Sequence, residues 1–280
     1  MKTLFFSALV IGAWVVASSG FAATPPYLEI FDGYAIGDTP VSNFTEAATP
    51  DWTIVSSFSG NAYQNAISAT APGVGGAGVN SSAGISFPSI ATSSFSMSTL
   101  FRIDTLTVPA SPSDNVAFIR MFARSTSASP LGFDRYEIAY YLDSDSSHTA
   151  GKLYLNEVNT SFGDSLAASS ASSLPVTLGD IYQLTVTGSD TGSAIAFTAT
   201  LLDTTTSSSI SVSKTDAANL LTGSNFGYFN FIRAIDGSTT SLNADFDNFS
   251  MLAVPEPGAA MLLFVALVVH CSVSARSYRC

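Results

Sequence analysis

Cysteine is almost absent from this sequence of 280 residues, and both cysteines, Cys271 and Cys280, fall near the C-terminal end. The rest of the chain can therefore form neither a disulfide nor a thiolate metal site. Histidine is equally scarce, because only His148 and His270 occur, and a histidine-rich metal site is excluded too. Any domain before the C-terminal segment must be held together by its hydrophobic core.

Basic residues are also few, with 10 Lys and Arg against 21 Asp and Glu. Residues 23–254 contain 20 acidic and seven basic residues, which gives this part of the chain a net charge near −13. Nucleic acids and anionic membrane surfaces attract proteins through clustered basic residues. The composition therefore predicts no nucleic-acid partner.

Long apolar segments occur only at the two ends of the chain. At the N-terminus, Met1-Lys2 is followed by an apolar run from Leu4 to Val16 and by the small-x-small sequence Gly20-Phe21-Ala22. This order is typical of a secretory signal peptide, with cleavage between Ala22 and Ala23. It predicts a signal peptide over residues 1–22, export through the Sec translocon and removal by signal peptidase.

The C-terminal segment begins with Val254-Pro255-Glu256-Pro257, continues with the uncharged residues 258–275, and ends with Arg276 and Arg279 close behind. The two prolines lack amide donors and predict an extended spacer that ends the preceding domain. The uncharged run reaches the lower limit for a helix that crosses the ~30 Å hydrocarbon core. Because arginines stay on the cytoplasmic side, the sequence predicts that the body of the chain lies outside the inner membrane.

This order of features resembles the PEP-CTERM sorting signal of Gram-negative bacteria, and the resemblance covers residues 254–280. It implies that an exosortase, a membrane-embedded cysteine peptidase, recognises the Val-Pro-Glu-Pro sequence and cuts the chain there. The protein would then pass from a transient inner-membrane anchor to the cell surface or the exopolysaccharide matrix. The separated arginines, His270 inside the apolar run and the two cysteines depart from the family pattern.

Between these ends, residues 23–253 are predicted to form one domain of β-strands. Apolar and polar residues alternate from Phe95 onward and again over 115–124 and 133–142, as expected for strands that are half-buried against a core. Many short strands with turn residues about every ten positions, and almost no helix, predict an all-β fold, an antiparallel β-sandwich.

Three local patterns refine this prediction. Residues 181–187 and 194–202 flank a glycine-containing loop and predict a hairpin. Residues 215–221 predict a single helical turn. In the last strand, Phe246 and Phe249 differ in parity, so one face can bury both only across a β-bulge.

The body also resembles, over residues 95–252, the laminin-G and concanavalin-like jelly rolls of bacterial surface proteins. The similar segments are Phe101-Arg-Ile, Gly151-Lys-Leu-Tyr-Leu, Asp180-Ile-Tyr-Gln-Leu-Thr-Val, Gly227-Tyr-Phe and Ala244-Asp-Phe-Asp-Asn-Phe-Ser-Met. The resemblance implies a jelly-roll sandwich that is displayed at a cell surface.

Carboxylate pairs are the obvious candidates for catalysis, because a glycoside hydrolase needs two of them about 5–10 Å apart on one face. Asp134 and Glu137 are three positions apart and would point to opposite sides of a strand. The Glu-x-Asp-x-x-Glu sequence of jelly-roll glucanases is absent, so no catalytic residue is predicted. Two other pairs could supply oxygens to a structural calcium ion or lie in solvated turns: Asp143 with Asp145, and Asp245 with Asp247.

The arginines are distributed unevenly. Four of the seven basic residues of the body lie on three successive predicted strands, opposite the residues expected to face the core: Arg102, Arg120, Arg124 and Arg135. With Glu137 and Tyr141 they predict a groove for a carbohydrate or an acidic polymer such as exopolysaccharide, because guanidinium groups and a ring face suit such ligands. Cross-strand ion pairs on a solvated face are the alternative.

Taken together, these patterns predict an exported structural or adhesive β-sandwich without enzymatic activity, which binds glycan through the arginine-lined groove. Two alternatives stay open. One is a secreted jelly-roll glycoside hydrolase or polysaccharide lyase, and the other is a self-assembling surface-layer subunit.

Overall fold

The computed structural model describes residues 24–39, 43–47, 52–58, 60–110, 114–128, 133–159, 167–218 and 220–254. The predicted signal peptide, and the sorting segment beyond Val254, lie outside these residues. Within them, no helix is long and apolar enough to cross a bilayer. The elements are β1 (Tyr27–Glu29), β2 (Thr45–Ala47), β3 (Trp52–Ser57), β4 (Gly60–Thr70), β5 (Gly76–Ser86), the short 3₁₀ helix η1 (Pro88–Ile90), β6 (Phe95–Thr107), β7 (Val116–Ser125), β8 (Arg135–Tyr141), β9 (Leu153–Val158), β10 (Ala167–Ser169), β11 (Ile181–Asp190), β12 (Ile195–Asp203), β13 (Ser208–Asp216), β14 (Asn225–Ile235) and β15 (Thr239–Ala253).

The strands form two antiparallel sheets. The eight-stranded sheet has the order β13-β12-β11-β6-β15-β4-β3, and β1 pairs with β15 beside this path. The seven-stranded sheet has the order β10-β9-β8-β7-β14-β5-β2. The chain crosses repeatedly between the sheets, as from β5 to β6 and from β14 to β15, so that neighbours in a sheet are often distant in sequence. This is an antiparallel β-sandwich of the jelly-roll kind, and the predicted all-β fold of the body is confirmed.

The core between the sheets is rich in aromatic side chains. Trp52, Tyr63, Tyr228 and Phe246 are fully buried, and the ring centroids of Tyr228 and Phe246 are 4.6 Å apart. Each large apolar side chain that folding removes from water contributes about 1.5–3 kcal/mol. This packing supplies the stability that a domain without cysteine cannot obtain from disulfides.

The predicted bulge in the last strand is confirmed. Phe246 and Phe249 are both fully buried, because the register of β15 against β6 shifts between Asp247 and Ser250. Asn248, inside the shifted segment, has a φ of 53°. This left-handed conformation is one that asparagine adopts more easily than most residues.

The predicted hairpin is also confirmed, since β11 and β12 pair in a continuous antiparallel register. The helical turn predicted over residues 215–221 is wrong, because β13 continues as a strand to Asp216. The Asp216 carboxylate accepts hydrogen bonds from the Ala218 amide (3.0 Å) and the Tyr136 hydroxyl (2.6 Å). An acidic residue that caps a strand end therefore produces the same sequence pattern as a helix N-cap.

Candidate binding site on the seven-stranded sheet

Four of the six predicted binding residues lie together on the outward surface of the seven-stranded sheet, which we call the outer face. Arg120 is on β7, and Arg135, Glu137 and Tyr141 are on the neighbouring strand β8. Alternation directs these side chains away from the core. Their neighbours on the same strands are buried between the sheets: Ile119, Met121, Tyr136, Ile138 and Tyr140.

Arg102 does not belong to this surface. It is on β6 in the eight-stranded sheet, where its guanidinium contacts Asp104 at 2.6 Å and Asp245 at 3.1 Å. The prediction that it shares a face with Arg120 is wrong, because the consecutive strands β6 and β7 lie in different sheets.

Arg124 was also predicted on the outer face, and the structure corrects this placement. Its φ of 51° breaks the alternation of β7, and its side chain is fully buried. It forms an ion pair with Asp190, where β11 of the other sheet ends, and donates to the carbonyls of Ser93 (3.0 Å) and Leu221 (3.3 Å). Arg124 therefore links the two sheets inside the sandwich.

Two arginines of the outer face share one carboxylate. Glu137 forms ion pairs with Arg120 and with Arg135, whose Nε donates to Oε1 at 2.6 Å. The three side chains are 5–11% exposed, and we call them the ion cluster. Burial alone would raise the pKa of Glu137, but Arg120 and Arg135 reverse the effect and hold it below its ordinary value. The general acid of a glycoside hydrolase needs a raised pKa, so Glu137 does not suit that role.

Aromatic rings hold the ion cluster in place. The guanidinium carbon of Arg120 lies 4.2 Å from the ring centroid of Phe118 and 4.2 Å from that of Phe229. Such cation–π contacts are worth about 0.5–2 kcal/mol each, most where water is excluded. Phe118 also packs against Tyr141, with 4.8 Å between ring centroids. Phe118 therefore connects the ion cluster to Tyr141 on β8.

Tyr141, His148 and Tyr154 form an aromatic patch beside the ion cluster. The His148 ring stacks on Tyr141 at 4.1 Å and meets Tyr154 edge-on at 4.7 Å. Asp145 fixes the histidine, because its Oδ1 accepts from the His148 amide at 2.7 Å and lies 2.9 Å from Nδ1. With Nδ1 held, Nε2 is the nitrogen available to a ligand. The His148 side chain is 27% exposed and Tyr154 is half-buried, so the aromatic patch opens to solvent.

His148 and Tyr154 were not among the binding residues predicted from the sequence. His148 lies in the loop between β8 and β9, where the Asp145 turn rather than strand alternation sets its position. Tyr154 could have been found, because Leu153 and Leu155 on either side of it are buried. The same alternation places Tyr154 on the outer face, next to β8.

The acidic pairs proposed as calcium ligands are engaged with protein groups. Asp245 accepts hydrogen bonds from Ser57 and from Gln64, the latter at 2.9 Å, and pairs with Arg102. Asp145 holds His148, as described above. Among the described residues, no group of three or more acidic, histidine or cysteine side chains could hold a metal ion.

The stability of the fold should depend on pH through Asp247, which is 8% exposed and has a raised pKa. Burial, together with the nearby acids Asp32 and Glu29, raises its pKa to about 6. A carboxyl whose folded pKa exceeds its unfolded value destabilises the fold as pH rises from about 4 through about 6. Thermal denaturation should show that Asp247→Asn gains about 1–2 kcal/mol at pH 7 and nothing near pH 4. The exposed Asp114→Asn is the control, and no gain at pH 7 would contradict the expectation.

Of the comparisons with known proteins, only the one with solved structures gives matches. No protein-family model matches the chain, and no curated protein matches it. Basic winged bean lectin with Tn-antigen gives a TM-score of 0.49 at 10% identity, over 82% of this chain and 98% of the lectin. Peanut lectin with a 9mer peptide gives 0.44 at 10% identity, over 81% and 99%. Lectin II from Ulex europaeus gives 0.44 at 10% identity, over 81% and 98%. At TM-scores below 0.5, these likenesses carry no inference about a ligand.

Proposed function

We propose that this chain is an exported, non-enzymatic β-sandwich with an adhesive role, and that it binds an acidic carbohydrate on its outer face. The observation that carries the proposal is the contiguity of the partly exposed aromatic patch with the ion cluster, since Phe118 contacts both Arg120 and Tyr141. The body of the chain has a net charge near −13, so two neighbouring arginines, Arg120 and Arg135, are unusual on its surface and favour a site for an anionic group.

The two parts of the site suit two parts of such a ligand. The ring faces of His148 and Tyr154 can pack against the apolar face of a pyranose, as aromatic side chains do in many ligand sites. The Tyr154 hydroxyl accepts from the Thr149 amide at 2.8 Å and keeps its own proton to donate to a sugar hydroxyl. A ligand carboxylate near Arg120 would form a charge-assisted hydrogen bond with its guanidinium. A uronic-acid exopolysaccharide has both features.

Removing the rings of the aromatic patch tests this proposal. The full-length chain is applied to a glycan array and to immobilised acidic polysaccharide, together with His148→Ala and Tyr154→Ala. Leu178→Ala, at an exposed position between β10 and β11, is the control. Loss of one stacking contact worth about 1–1.5 kcal/mol should weaken binding about tenfold, while Leu178→Ala binds normally. Absence of binding by the wild-type chain, or equal binding by all variants, contradicts the proposal.

We also propose that export and sorting follow the terminal sequences, with signal peptidase cutting after Ala22 and an exosortase cutting at Val254-Pro255-Glu256-Pro257. The sandwich would then be released to the cell surface or the exopolysaccharide matrix, where it would meet the acidic glycan proposed as its ligand. Mass spectrometry of the mature protein should find an N-terminus at Ala23 and a C-terminus within Val254-Pro255-Glu256-Pro257. A mature chain that retains Arg276 and Arg279 would contradict the sorting step.

A further inference from the structure

Exposed apolar side chains gather at one corner of the eight-stranded sheet. Among the described residues, eight large apolar side chains are exposed, and four of them lie on β1 and β15 or directly after these strands. We call these four the apolar corner: Leu28 (62% exposed), Ile30 (43%), Leu252 (48%) and Val254 (41%). The others lie in four different loops: Ile36, Val74, Phe133 and Leu178. Single exposed apolar residues are common on proteins, whereas a contiguous group marks an interaction surface.

Strand pairing makes the apolar corner contiguous. Leu28 lies opposite Ser250, so Leu252 is its diagonal neighbour across the two strands, within reach of a long side chain. Met251, which comes just before Leu252, is fully buried. Alternation therefore directs Leu252 and Val254 away from the core, on the outward side of the sheet.

The chain enters and leaves the sandwich at this corner. β1 is antiparallel to β15, and its first residue, Tyr27, lies opposite Met251 near the end of β15. The pairing of the last strand continues to Val254, whose amide donates to the Ser94 carbonyl at 3.0 Å. The predicted signal peptide therefore precedes the apolar corner closely in the chain, and the predicted sorting segment follows it directly.

The spacer after the corner is short. Only Pro255-Glu256-Pro257 separates Val254 from the uncharged run of residues 258–275. An extended chain spans at most about 3.5 Å per residue, so this run begins within about 14 Å of Val254. The headgroup layer outside the hydrocarbon core is about 5–7 Å thick on each side of a bilayer. With the run in the bilayer, Val254 therefore lies within about 10 Å of the headgroups.

The side of the corner that faces the chain ends carries no charge. The outward positions beside it, on β6 and β11, hold hydroxyl side chains: Ser96, Ser98, Thr187 and Ser189. Glu29 on β1 is directed the other way by alternation and accepts from the Tyr27 hydroxyl at 3.0 Å. Asp32 and Asp247 lie toward the opposite end of the corner, beyond Ile30. A bilayer that approached from the chain ends would therefore cover apolar and hydroxyl groups without burying an unpaired charge.

We propose that the apolar corner contacts the outer surface of the inner membrane while the C-terminal segment anchors the chain. This inference rests on the proposed sorting, because a segment held in the bilayer is what brings the corner to the lipid. Leu28 and Leu252 enter the boundary between headgroups and acyl chains, as the apolar face of an interfacial helix does. The contact orients the sandwich and holds Val254-Pro255-Glu256-Pro257 at the membrane surface, where a membrane-embedded peptidase reaches it.

The contact depends on the anchor. The body of the chain has a net charge near −13, so an anionic bilayer repels it from solution. An anchor raises the effective concentration of the corner at the lipid surface, which allows a small apolar contact to form. Four partly exposed side chains also offer much less than the about 800 Å² that each partner buries in a standard protein interface. Cleavage at the sorting sequence removes the anchor, so the sandwich should then leave the membrane.

Fluorescence quenching by brominated lipid tests the contact. The full-length chain is reconstituted into vesicles of phosphatidylethanolamine and phosphatidylglycerol whose acyl chains are brominated near the headgroup. Leu28→Trp places a fluorophore in the apolar corner, and the unsubstituted chain gives the background from Trp14 and Trp52. Because bromine quenches only over a short distance, the added fluorescence should fall in brominated vesicles and stay high in unbrominated ones.

Leu178→Trp is the matched control. Leu178 is 52% exposed, close to the 62% of Leu28. It lies at the other end of β6, because the amide of the adjoining Gly179 donates to the Ile103 carbonyl at 2.9 Å. Ile103 and Ser94 are nine positions apart in the sequence, which is about 30 Å along a strand. The brominated lipid should therefore leave the fluorescence added by Leu178→Trp unchanged.

A charge within the apolar corner should break the contact. Adding Leu252→Glu to Leu28→Trp should restore most of the quenched fluorescence, because the carboxylate resists leaving water. Adding Val74→Glu, at an exposed position between β4 and β5, should leave the quenching as it was. Both positions are exposed, so both double variants should keep the melting temperature of Leu28→Trp.

Three results would overturn the proposal, and they separate it from the proposed sorting. Equal quenching of Leu28→Trp and Leu178→Trp, in vesicles that carry the chain, would remove the membrane contact and leave the anchor intact. Failure of the full-length chain to float with the vesicles would remove the anchor as well. Protection of Leu28→Trp from the soluble quencher acrylamide, without quenching by brominated lipid, would assign the apolar corner to a protein partner such as a second copy.

Discussion

Replacing Glu137 with glutamine is expected to lower the free energy of unfolding by about 3–5 kcal/mol at pH 7. The change leaves the two guanidinium groups of Arg120 and Arg135 close together and almost buried without their shared carboxylate. For a domain of this size, each kcal/mol shifts the melting temperature by about 2–4 °C, so the midpoint should fall by about 10 °C. Thermal or urea denaturation of the full-length chain measures the change.

The stability difference between the wild type and Glu137→Gln should also depend on pH. Because the folded pKa of Glu137 lies below its ordinary value, its contribution to stability is complete above about pH 4.3 and is lost as pH falls through the folded pKa. The difference between wild type and variant should therefore shrink in acid. Asp114→Asn, at an exposed acid, should change stability by less than about 0.5 kcal/mol. An unchanged midpoint for Glu137→Gln at pH 7 would mean that water already solvates both guanidinium groups.

Strand alternation predicted the part of the site that depends on local sequence. Arg120 and Glu137 lie on regular stretches of β7 and β8, so the period of two correctly placed them opposite Ile119 and Ile138. The same reasoning predicted the bulge between Phe246 and Phe249, because two large apolar residues of opposite parity cannot share one face of a regular strand. Where backbone geometry stays close to the ideal, the sequence carries enough information to assign faces.

The errors in the predicted site concern residues whose positions depend on features that strand alternation cannot predict. Arg102 is misplaced because the assignment of β6 to one sheet and β7 to the other depends on contacts between residues far apart in sequence. Arg124 is misplaced because its positive φ interrupts the regular alternation near the end of β7. His148 is missed because a loop brings it over the sheet. Strand alternation therefore accounts for Arg120, Glu137 and Tyr141, whereas the stacking of His148 on Tyr141 is seen only in the structure.

Replacement of Arg124 is expected to have the largest effect on stability. Its guanidinium is fully buried and pairs with Asp190, which is 6% exposed. It also satisfies two backbone carbonyls and lies 5.9 Å from the Phe95 ring centroid. Breaking a buried ion pair by removing one partner costs about 3–5 kcal/mol, because the remaining charge is left without compensation. The two orphaned carbonyls add to this cost, since each buried unsatisfied polar group costs about 1–3 kcal/mol.

Arg124→Met should therefore destabilise the chain more than Glu137→Gln does. Arg233→Met is the control and should have a small effect. Arg233 is half-exposed, and among the described residues its side chain binds only the Asp114 carbonyl. Adding Asp190→Leu to Arg124→Met removes the uncompensated carboxylate and should restore part of the lost stability, as replacement of a whole buried ion pair by apolar groups often does. Denaturation of the two single variants and the double variant gives the coupling energy between the two side chains. A coupling near zero would show that Arg124 stabilises the sandwich through packing and the two carbonyls, and that its charge plays no part.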